Sequence, residues 1–274
     1  MKIGWIADFF LDKHLGGAQQ TNDRMIRYGE NQGYEILKIT PSNILEAWST
    51  DLVILNNITT FDIKDIKSLI EKVPAVRYEH DEWCSSMYPE IYRKTLLNIF
   101  LSPLHFRRCS ANAKRILKGI CIPSPIDTEI FNNENVMKEK DSVVWGGSLA
   151  PHKGFDELLL YAKNHPEKKI SIVSFDFDKR TLPENIEFIG EKHNEELAEV
   201  YKKTETFFHH PVLEPFGRMV MEAYLCGCQL DVNKNIGALS YDWDYNDYDS
   251  VKKFLHSEKV FWEEISKVCD KIEK

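Results

Sequence analysis

Short apolar segments alternate along the chain with longer segments in which apolar residues recur every three or four positions. The first apolar segment runs from Lys2 to Asp8, and a loop with Gly16 and Gly17 leads from it into a helical pattern that lasts to Gln32. Further strand-like segments lie at residues 35–40, 51–57, 74–80, 98–103 and 119–124. Strands that alternate with helices predict a parallel sheet with helices on both faces.

A polar segment at residues 132–141 separates this series from a second one. The second series has strand-like segments at residues 142–147, 169–175, 185–190, 205–210 and 228–232 and helix-like segments at 155–165, 194–203 and 217–227, and an amphipathic tail follows from Ser250. We predict two Rossmann-like domains, over residues 1–134 and 135–250, and a helix over residues 251–274 that packs back on the first domain. Two such sheets facing each other would hold an active site between the carboxyl ends of their strands.

The composition is that of an ordinary globular protein. A chain of 274 residues with 43% hydrophobic residues can bury two cores. Because it has no run of about eighteen apolar residues and no signal-peptide pattern at its start, we expect a cytoplasmic protein. Six cysteines without a C-x-x-C pair are typical of reduced thiols rather than of disulfides or a zinc site.

Charge is distributed unevenly along the chain. The formal net charge of −8 argues against general affinity for nucleic acids or anionic membranes. Residues 91–126, however, contain no Asp or Glu. The basic residues of this segment are Arg93, Lys94, Arg107, Arg108, Lys114, Arg115 and Lys118. Such a segment is either a solvated basic face or a surface for an anionic partner.

Two carboxylates, Glu214 and Glu222, lie eight residues apart in the segment EPFGRMVME. The segment follows a strand-like run and opens a helix near Gly217, where free backbone N–H groups can bind phosphate. Carboxylates in this position can accept hydroxyl groups of a ribose or another sugar. Taken alone, the spacing is more often a surface Glu followed by an unrelated helix Glu.

The stretch EPFGRMVMEAYLCGC resembles the E-x7-E region of the retaining glycosyltransferases of family 4. That family has the GT-B fold, in which two Rossmann-like domains face a central cleft. Further segments resemble the family in the same order, namely the glycine-rich loop GGAQ (16–19), CIPSPIDTEIF (121–131), VVWGGSLAPHKGFDELL (143–159) and CGCQLDVNKNIGALS (226–240). The resemblance covers nearly the whole chain and is that of a short, viral-type member.

The resemblance implies roles for individual residues. Lys153 would contact the donor diphosphate, Glu222 would hold the ribose hydroxyls, and Glu214 would face the transferred sugar. His80 would approach that sugar from the first domain, although a strand-end histidine held by Asp81 is the alternative. The catalytic residues would thus be His80, Lys153 and Glu214, and the donor-binding residues Gly16, Gly17, Ser148, Lys153, Phe216, Gly217, Arg218 and Glu222.

Ser148 departs from the family pattern, which has an arginine five residues before the phosphate lysine. Loss of one such donor can cost about 3 kcal/mol of transition-state stabilisation. Arg218, His152 or a backbone anion nest at Gly147 and Ser148 would have to replace it. Without a replacement, the chain would be a catalytically degenerate sugar-nucleotide-binding or scaffold protein, a reading against which the other family residues argue.

The family mechanism is transfer with retention at the anomeric carbon, in which the leaving phosphate takes the acceptor proton. It requires no metal and no cofactor beyond the nucleotide-sugar donor, for which a UDP-sugar is the default. Asp176-Phe-Asp178 and Asp242-Trp-Asp244 match the D-x-D metal pattern of another glycosyltransferase fold, but short acidic patterns are frequent among 43 acidic residues. His209 and His210 suit substrate-facing or plain loop residues better than metal ligands.

The basic segment bears on the acceptor, because the first domain handles the acceptor in the family. The candidate acceptor-side residues are Arg107, Arg108, Lys114 and Arg115. They favour an anionic acceptor, which would be a lipid carrier at a membrane with the protein peripheral to it, an anionic polysaccharide, or DNA with a hydroxymethylated base. The alternative is a solvated helix whose charges are balanced elsewhere, and we infer no stable protein partner.

Overall fold

The computed structural model describes residues 1–13, 16–176 and 182–273, and it divides the chain into two compact units. The first unit comprises Met1–Pro125 and His256–Lys274, and the second comprises Ile126–Leu255. The division therefore falls before the polar segment 132–141, where we expected the junction. Part of that segment already belongs to the first strand of the second unit.

The first unit is built on a six-stranded parallel sheet with strand order β2-β1-β3-β4-β5-β6. Its strands are β1 (Lys2–Ile6), β2 (Glu35–Ile39), β3 (Leu52–Leu55), β4 (Ala75–Glu79), β5 (Leu97–Phe100) and β6 (Ile120–Cys121). The helices between them are α1 (Gly17–Asn31), α2 (Ile63–Leu69), α3 (Trp83–Met87), α4 (Ile91–Lys94) and α5 (Pro103–Asn112), with a 3₁₀ segment at Pro41–Ser49. Every residue of β3 and β4 is buried, as expected for central strands covered on both faces.

The second unit is built on a five-stranded parallel sheet with strand order β11-β10-β7-β8-β9. Its strands are β7 (Glu139–Gly146), β8 (Lys169–Val173), β9 (Ile186–Phe188), β10 (Thr204–His209) and β11 (Gln229–Val232). The helices are α6 (Phe155–Asn164), α7 (Asn194–Lys203) and α8 (Arg218–Leu225). The prediction of two parallel α/β sheets is thereby confirmed.

The tail, which we predicted as one helix, forms two. Helix α9 (Tyr248–Phe254) belongs to the second unit and α10 (Glu258–Ile272) to the first. Helix α10 packs on α1, where Trp262 donates its indole N–H to the Met25 carbonyl at 2.8 Å. A Cβ at Gly29 would fall on the Trp262 ring, so the glycine makes room for this contact.

Two observations bear on the composition. All six cysteines are free thiols, and five of them are buried. None of the described helices is both long enough and apolar enough to span a bilayer.

Candidate active site

Lys153 is held in a tight turn at the carboxyl side of β7. It ends the 3₁₀ turn Pro151–Lys153, and α6 begins directly after Gly154. Gly154 has a φ of +77°, and a Cβ at this position would collide with the His210 carbonyl. The carbonyl of the neighbouring His152 accepts the backbone N–H of Val212 at 2.8 Å. These contacts fix the lysine turn against the loop that leads to Glu214.

Glu214 lies in the loop between β10 and α8, and its backbone is anchored on both sides. Its N–H donates to the Asn235 carbonyl and its carbonyl accepts the Gly237 N–H, both at 2.9 Å. Gly217 starts α8 with a φ of +89°, and a Cβ there would lie 2.7 Å from Cγ2 of Ile236. The loop therefore needs glycine at this position to turn into the helix.

Lys153 and His209 both contact the same carboxylate oxygen of Glu214. Nζ of Lys153 donates to Oε1 of Glu214 at 2.6 Å, and Nε2 of His209 lies 3.3 Å from the same oxygen. The side chains of Lys153 and Glu214 are 26% and 14% exposed. Burial acts to raise the pKa of Glu214, but Lys153 and His209 outweigh it and lower that pKa to about 2. Glu214 is thus an ionised carboxylate in a pair that solvent can reach.

His209 is a residue of this cluster that the sequence analysis described only as substrate-facing or as a plain loop residue and did not assign to the site. It is the last residue of β10 and is 3% exposed, so it is part of the core and not of a loop. Its Nδ1 is buried and has no hydrogen-bond partner among the described residues. Its Nε2 lies within hydrogen-bond range of Oε1 of Glu214 and can donate to it. Its place at a strand end five residues before Glu214 is the signal that could have found it.

Glu222, the second carboxylate of the E-x7-E segment, lies on α8 in a different environment. It is 3% exposed, and its Oε1 accepts a hydrogen bond from Arg218 at 3.0 Å, one helical turn earlier. Burial raises the pKa of Glu222, and Arg218 opposes that shift. The pKa values of the two carboxylates are therefore moved in opposite directions, an arrangement common where two acids have different tasks.

Ser148 follows β7 in a loop with an unusual backbone, since Gly147 has a φ of +140°. The loop is fixed by Asp176, which accepts the Leu149 N–H at 2.9 Å.

Of the candidate replacements for the missing arginine, His152 is the weakest. Burial and the neighbouring Lys153 lower the pKa of His152 and so disfavour its charged form. Arg218 is the remaining side-chain cation, and Glu222 engages it.

Neither D-x-D segment forms a metal site in the described residues. Asp176 has the structural role just given, and Asp178 lies outside the described residues. Asp244 accepts the Asn246 N–H at 2.9 Å and so caps a turn. His210 pairs with Asp231 at 2.8 Å. Over residues 1–13, 16–176 and 182–273, no group of three or more His, Cys, Asp or Glu residues is arranged to hold a metal ion.

The first unit brings its own predicted residues to one edge of its sheet. His80 directly follows β4, is 9% exposed and packs edge-on against Tyr78 with 4.5 Å between the ring centroids. Gly16 is the N-cap of α1 and Gly17 its first residue. Because β1 and β4 are parallel, these residues share the carboxyl edge of the sheet.

The four candidate acceptor-side residues differ in whether they already form an ion pair or a hydrogen bond within the first unit. Arg107 and Arg108 lie on α5, and Lys114 and Arg115 follow it. Arg108 pairs with Glu82 at 2.9 Å, and Arg115 donates to the Pro89 carbonyl. Arg107 and Lys114 are exposed and take part in no ion pair with the described residues. The balanced-charge alternative thus holds for Arg108 but not for every member of the set.

Comparisons with known proteins agree with this architecture. Residues 126–238 match the family model of glycosyl transferases group 1. No curated protein has a significant match to the chain. Among solved structures, the chain is similar to Anabaena HepE in complex with UDP and glucose, with 16% identity, a TM-score of 0.64 and coverage of 95% of this chain and 94% of that one.

Two further structures have the same fold. The sucrose-phosphate synthase of Thermosynechococcus elongatus is 12% identical with a TM-score of 0.71, over 94% of this chain and 92% of that one. An α-glucosyltransferase in complex with UDP-glucose and DNA containing an abasic site is 13% identical with a TM-score of 0.60, and the match covers 100% of this chain and 99% of that one. The chain therefore has the GT-B fold, and its residues 126–238 are similar to the glycosyl transferases group 1.

Proposed function

We propose that this glycosyltransferase transfers a sugar with retention from a UDP-sugar to an acceptor hydroxyl, without a metal ion. The observation that carries the proposal is the cluster of Lys153, His209 and Glu214 inside the segment that matches the family. A lysine, an ionised carboxylate and two helix starts, at Gly154 and Gly217, are tied together there by backbone hydrogen bonds. Family and fold support the reaction class, and UDP in the structural neighbours supports the nucleotide.

In this proposal the donor diphosphate competes with Glu214 for Lys153. A diphosphate carries more negative charge than a carboxylate, and the first N–H groups of α8 have no partner inside the helix. Lys153 would therefore turn to the diphosphate. Glu214 would then keep the hydrogen bond from His209 and accept a hydroxyl of the transferred sugar.

The donor ribose would likewise compete with Arg218 for the second carboxylate, Glu222. Its hydroxyls would hydrogen-bond to Glu222, which now accepts from Arg218. An Arg218 guanidinium released from that pair lies at the start of α8 and would supply the second cation that Ser148 does not. This exchange of partners is how the site would compensate for its departure from the family pattern.

The chemical step then needs no protein nucleophile. The bond between the anomeric carbon and the UDP oxygen breaks, and the acceptor oxygen forms its bond on the same face of the sugar. The acceptor proton passes to the leaving phosphate oxygen. Lys153 and the helix N-terminus stabilise the negative charge that develops there. The basic residues of the first unit favour an anionic carrier of the acceptor hydroxyl.

The test is ¹H NMR of the sugar released when the protein is incubated with UDP-glucose, UDP-galactose or UDP-N-acetylglucosamine in the presence of EDTA, with water as the acceptor. We expect slow release from one donor, with the α anomer appearing first and no effect of EDTA. Glu214→Ala and Lys153→Met should bring this slow release below detection. Initial release of the β anomer would contradict retention, and UDP binding without any release would favour the degenerate sugar-nucleotide-binding protein instead.

A further inference from the structure

A groove of about 490 Å³ opens in the first unit at the amino ends of β5 and β6. Its walls come from residues 92–93, 95–98 and 115–120. His80, Gly16 and Gly17 lie at the opposite, carboxyl edge of the same sheet. The groove therefore lies away from these three residues, although Arg115 of the acceptor-side set is among its lining residues.

The two walls are held in place by a buried amide. Asn98 is 3% exposed, and its Nδ2 donates to the Tyr92 carbonyl at 3.1 Å on one wall and to the Lys118 carbonyl at 2.9 Å on the other. Its Oδ1 accepts the Thr95 hydroxyl at 2.7 Å. A Cβ at Gly119 would lie 2.5 Å from the Asn98 carbonyl oxygen, so this wall needs glycine to approach β5. The groove is thus preformed rather than a gap between loose loops.

Each wall presents an aliphatic side chain to solvent. Ile116 is 86% exposed and Leu96 is 56% exposed. Single exposed apolar residues are common on soluble proteins. Two of them on the clamped walls of one groove form a local apolar feature that water solvates poorly.

Cations flank these aliphatic residues. Arg93 and Lys118 line the groove, are exposed, and form no ion pair with the described residues. Glu71 and Glu90, on neighbouring parts of the unit, are already paired with Lys94 at 2.5 Å and Lys67 at 2.7 Å. Since residues 91–126 contain no acid, the local charge is positive although the whole chain carries −8.

We propose that this basic-aliphatic groove, formed by Arg93, Leu96, Ile116 and Lys118, docks the protein on an anionic lipid bilayer. Ile116 and Leu96 would enter the boundary between headgroups and acyl chains, while Arg93 and Lys118 bind lipid phosphates. Aliphatic side chains suit hydrocarbon better than the bases of a single-stranded nucleic acid, which stack on aromatic rings. The one aromatic residue of the walls, Tyr92, is 4% exposed.

Docking by this groove does not itself depend on sugar transfer. It has a consequence for the acceptor that does rest on the proposed function: a protein held at a bilayer would glycosylate a hydroxyl presented by a membrane lipid. The carboxyl edge of the sheet, which bears His80, would stay clear of the docked edge.

The test is co-sedimentation of the full chain with sucrose-loaded vesicles of phosphatidylcholine alone or mixed with phosphatidylglycerol. We expect binding to the mixed vesicles only, weakening as salt is raised. Arg93→Glu together with Lys118→Glu should lower the affinity by at least about fivefold for each cation, and Ile116→Ser by roughly tenfold.

Matched controls separate the groove from general charge and stickiness. Leu45→Ser removes a 79% exposed leucine from the same unit, and the pair Lys64→Glu and Lys253→Glu changes the net charge by the same amount. These controls should bind as the wild type does. Absence of binding to anionic vesicles, or equal losses in the controls, would overturn the proposal.

Loss of duplex DNA binding in the groove variants with vesicle binding intact would make the groove a nucleic-acid surface. Calorimetry with UDP tests the proposed function separately.

Discussion

Each unit carries a charged pair near the point where a central strand of its sheet ends, and the two pairs differ in access to solvent. In the first unit Arg77 and Glu79 are 1% and 0% exposed and joined by two hydrogen bonds, of 2.9 and 2.6 Å. In the second unit Lys153 and Glu214 are 26% and 14% exposed and are joined by a single hydrogen bond of 2.6 Å. One pair is sealed within the protein, and the other can exchange partners.

The partners of the sealed pair are all internal. Arg77 also donates to the carbonyls of Leu55 and Asn56 at the end of β3, and Glu79 accepts the Tyr92 hydroxyl. Burying such a pair is costly and seldom stabilises a fold more than apolar residues would. What it supplies is a fixed geometry, because it ties the ends of two strands together one residue before His80. The open pair of the second unit is instead accessible to solvent and can exchange partners, as a ligand-binding site requires.

The largest effect that we expect comes from breaking the sealed pair. Arg77→Met leaves Glu79 buried without its cation and should lower the free energy of unfolding by about 3–5 kcal/mol. Urea unfolding followed by circular dichroism measures this. The double variant Arg77→Met with Glu79→Leu removes both charges and should recover most of the loss. A single variant within about 1 kcal/mol of the wild type would show that the pair is not sealed.

Breaking the open pair should act chiefly on activity. Lys153→Met is expected to reduce donor turnover about 10²–10³-fold, because it removes the cation at the leaving phosphate. Lys168→Met is the matched control, since Lys168 is also ion-paired in this unit, with Asp141 at 2.9 Å. Equal activity of the two variants would remove Lys153 from the mechanism.

The pH dependence of stability sharpens the account of Glu214. Its pKa is lowered to about 2 in the folded protein, so its ionised form stabilises the fold fully above the unfolded value of 4.5. That contribution is lost as the pH falls from 4.5 towards 2, and it amounts to about 3 kcal/mol. The difference in unfolding free energy between the wild type and Glu214→Gln should therefore shrink over this window. A difference that stays constant with pH would contradict the lowered pKa.

The smallest predicted effect concerns His209, which we assign as a positioning residue for Glu214 under the proposed function. His209→Gln keeps an N–H donor near the position of Nε2, whereas His209→Met has similar length and no donor. We expect turnover of the Gln variant to stay within a few-fold of the wild type and that of the Met variant to fall about tenfold, in line with one lost hydrogen bond to a charged group. Equal loss in both variants would reduce His209 to a packing residue.

The sequence was sufficient to locate the strands but not the contacts between side chains. All eleven strands found among the described residues fall within or overlap the apolar segments of the two series, because buried parallel strands are continuous apolar runs. The break between α9 and α10 was missed, since the amphipathic pattern continues across residues 255–257 while the chain passes from one unit to the other.

The charged pairs show where pattern analysis stops. Arg77 and Glu79 alternate along a strand as exposed charges would, yet both are buried because their partners come from β3 and α4. Lys153 and Glu214 are 61 residues apart, so neither position alone indicates that they touch. The resemblance to a family selected both residues, and only the structure brings them together with His209.

The central claim is that the second unit holds a UDP-sugar site, and calorimetric titration of UDP, GDP, ADP and CDP without added metal tests it most directly. We predict preferential binding of UDP, loss of that binding in Lys153→Met and Glu222→Ala, and unchanged binding in Lys168→Met. Failure of all four nucleotides to bind the wild-type protein, or UDP binding that survives in both Lys153→Met and Glu222→Ala, would contradict the account.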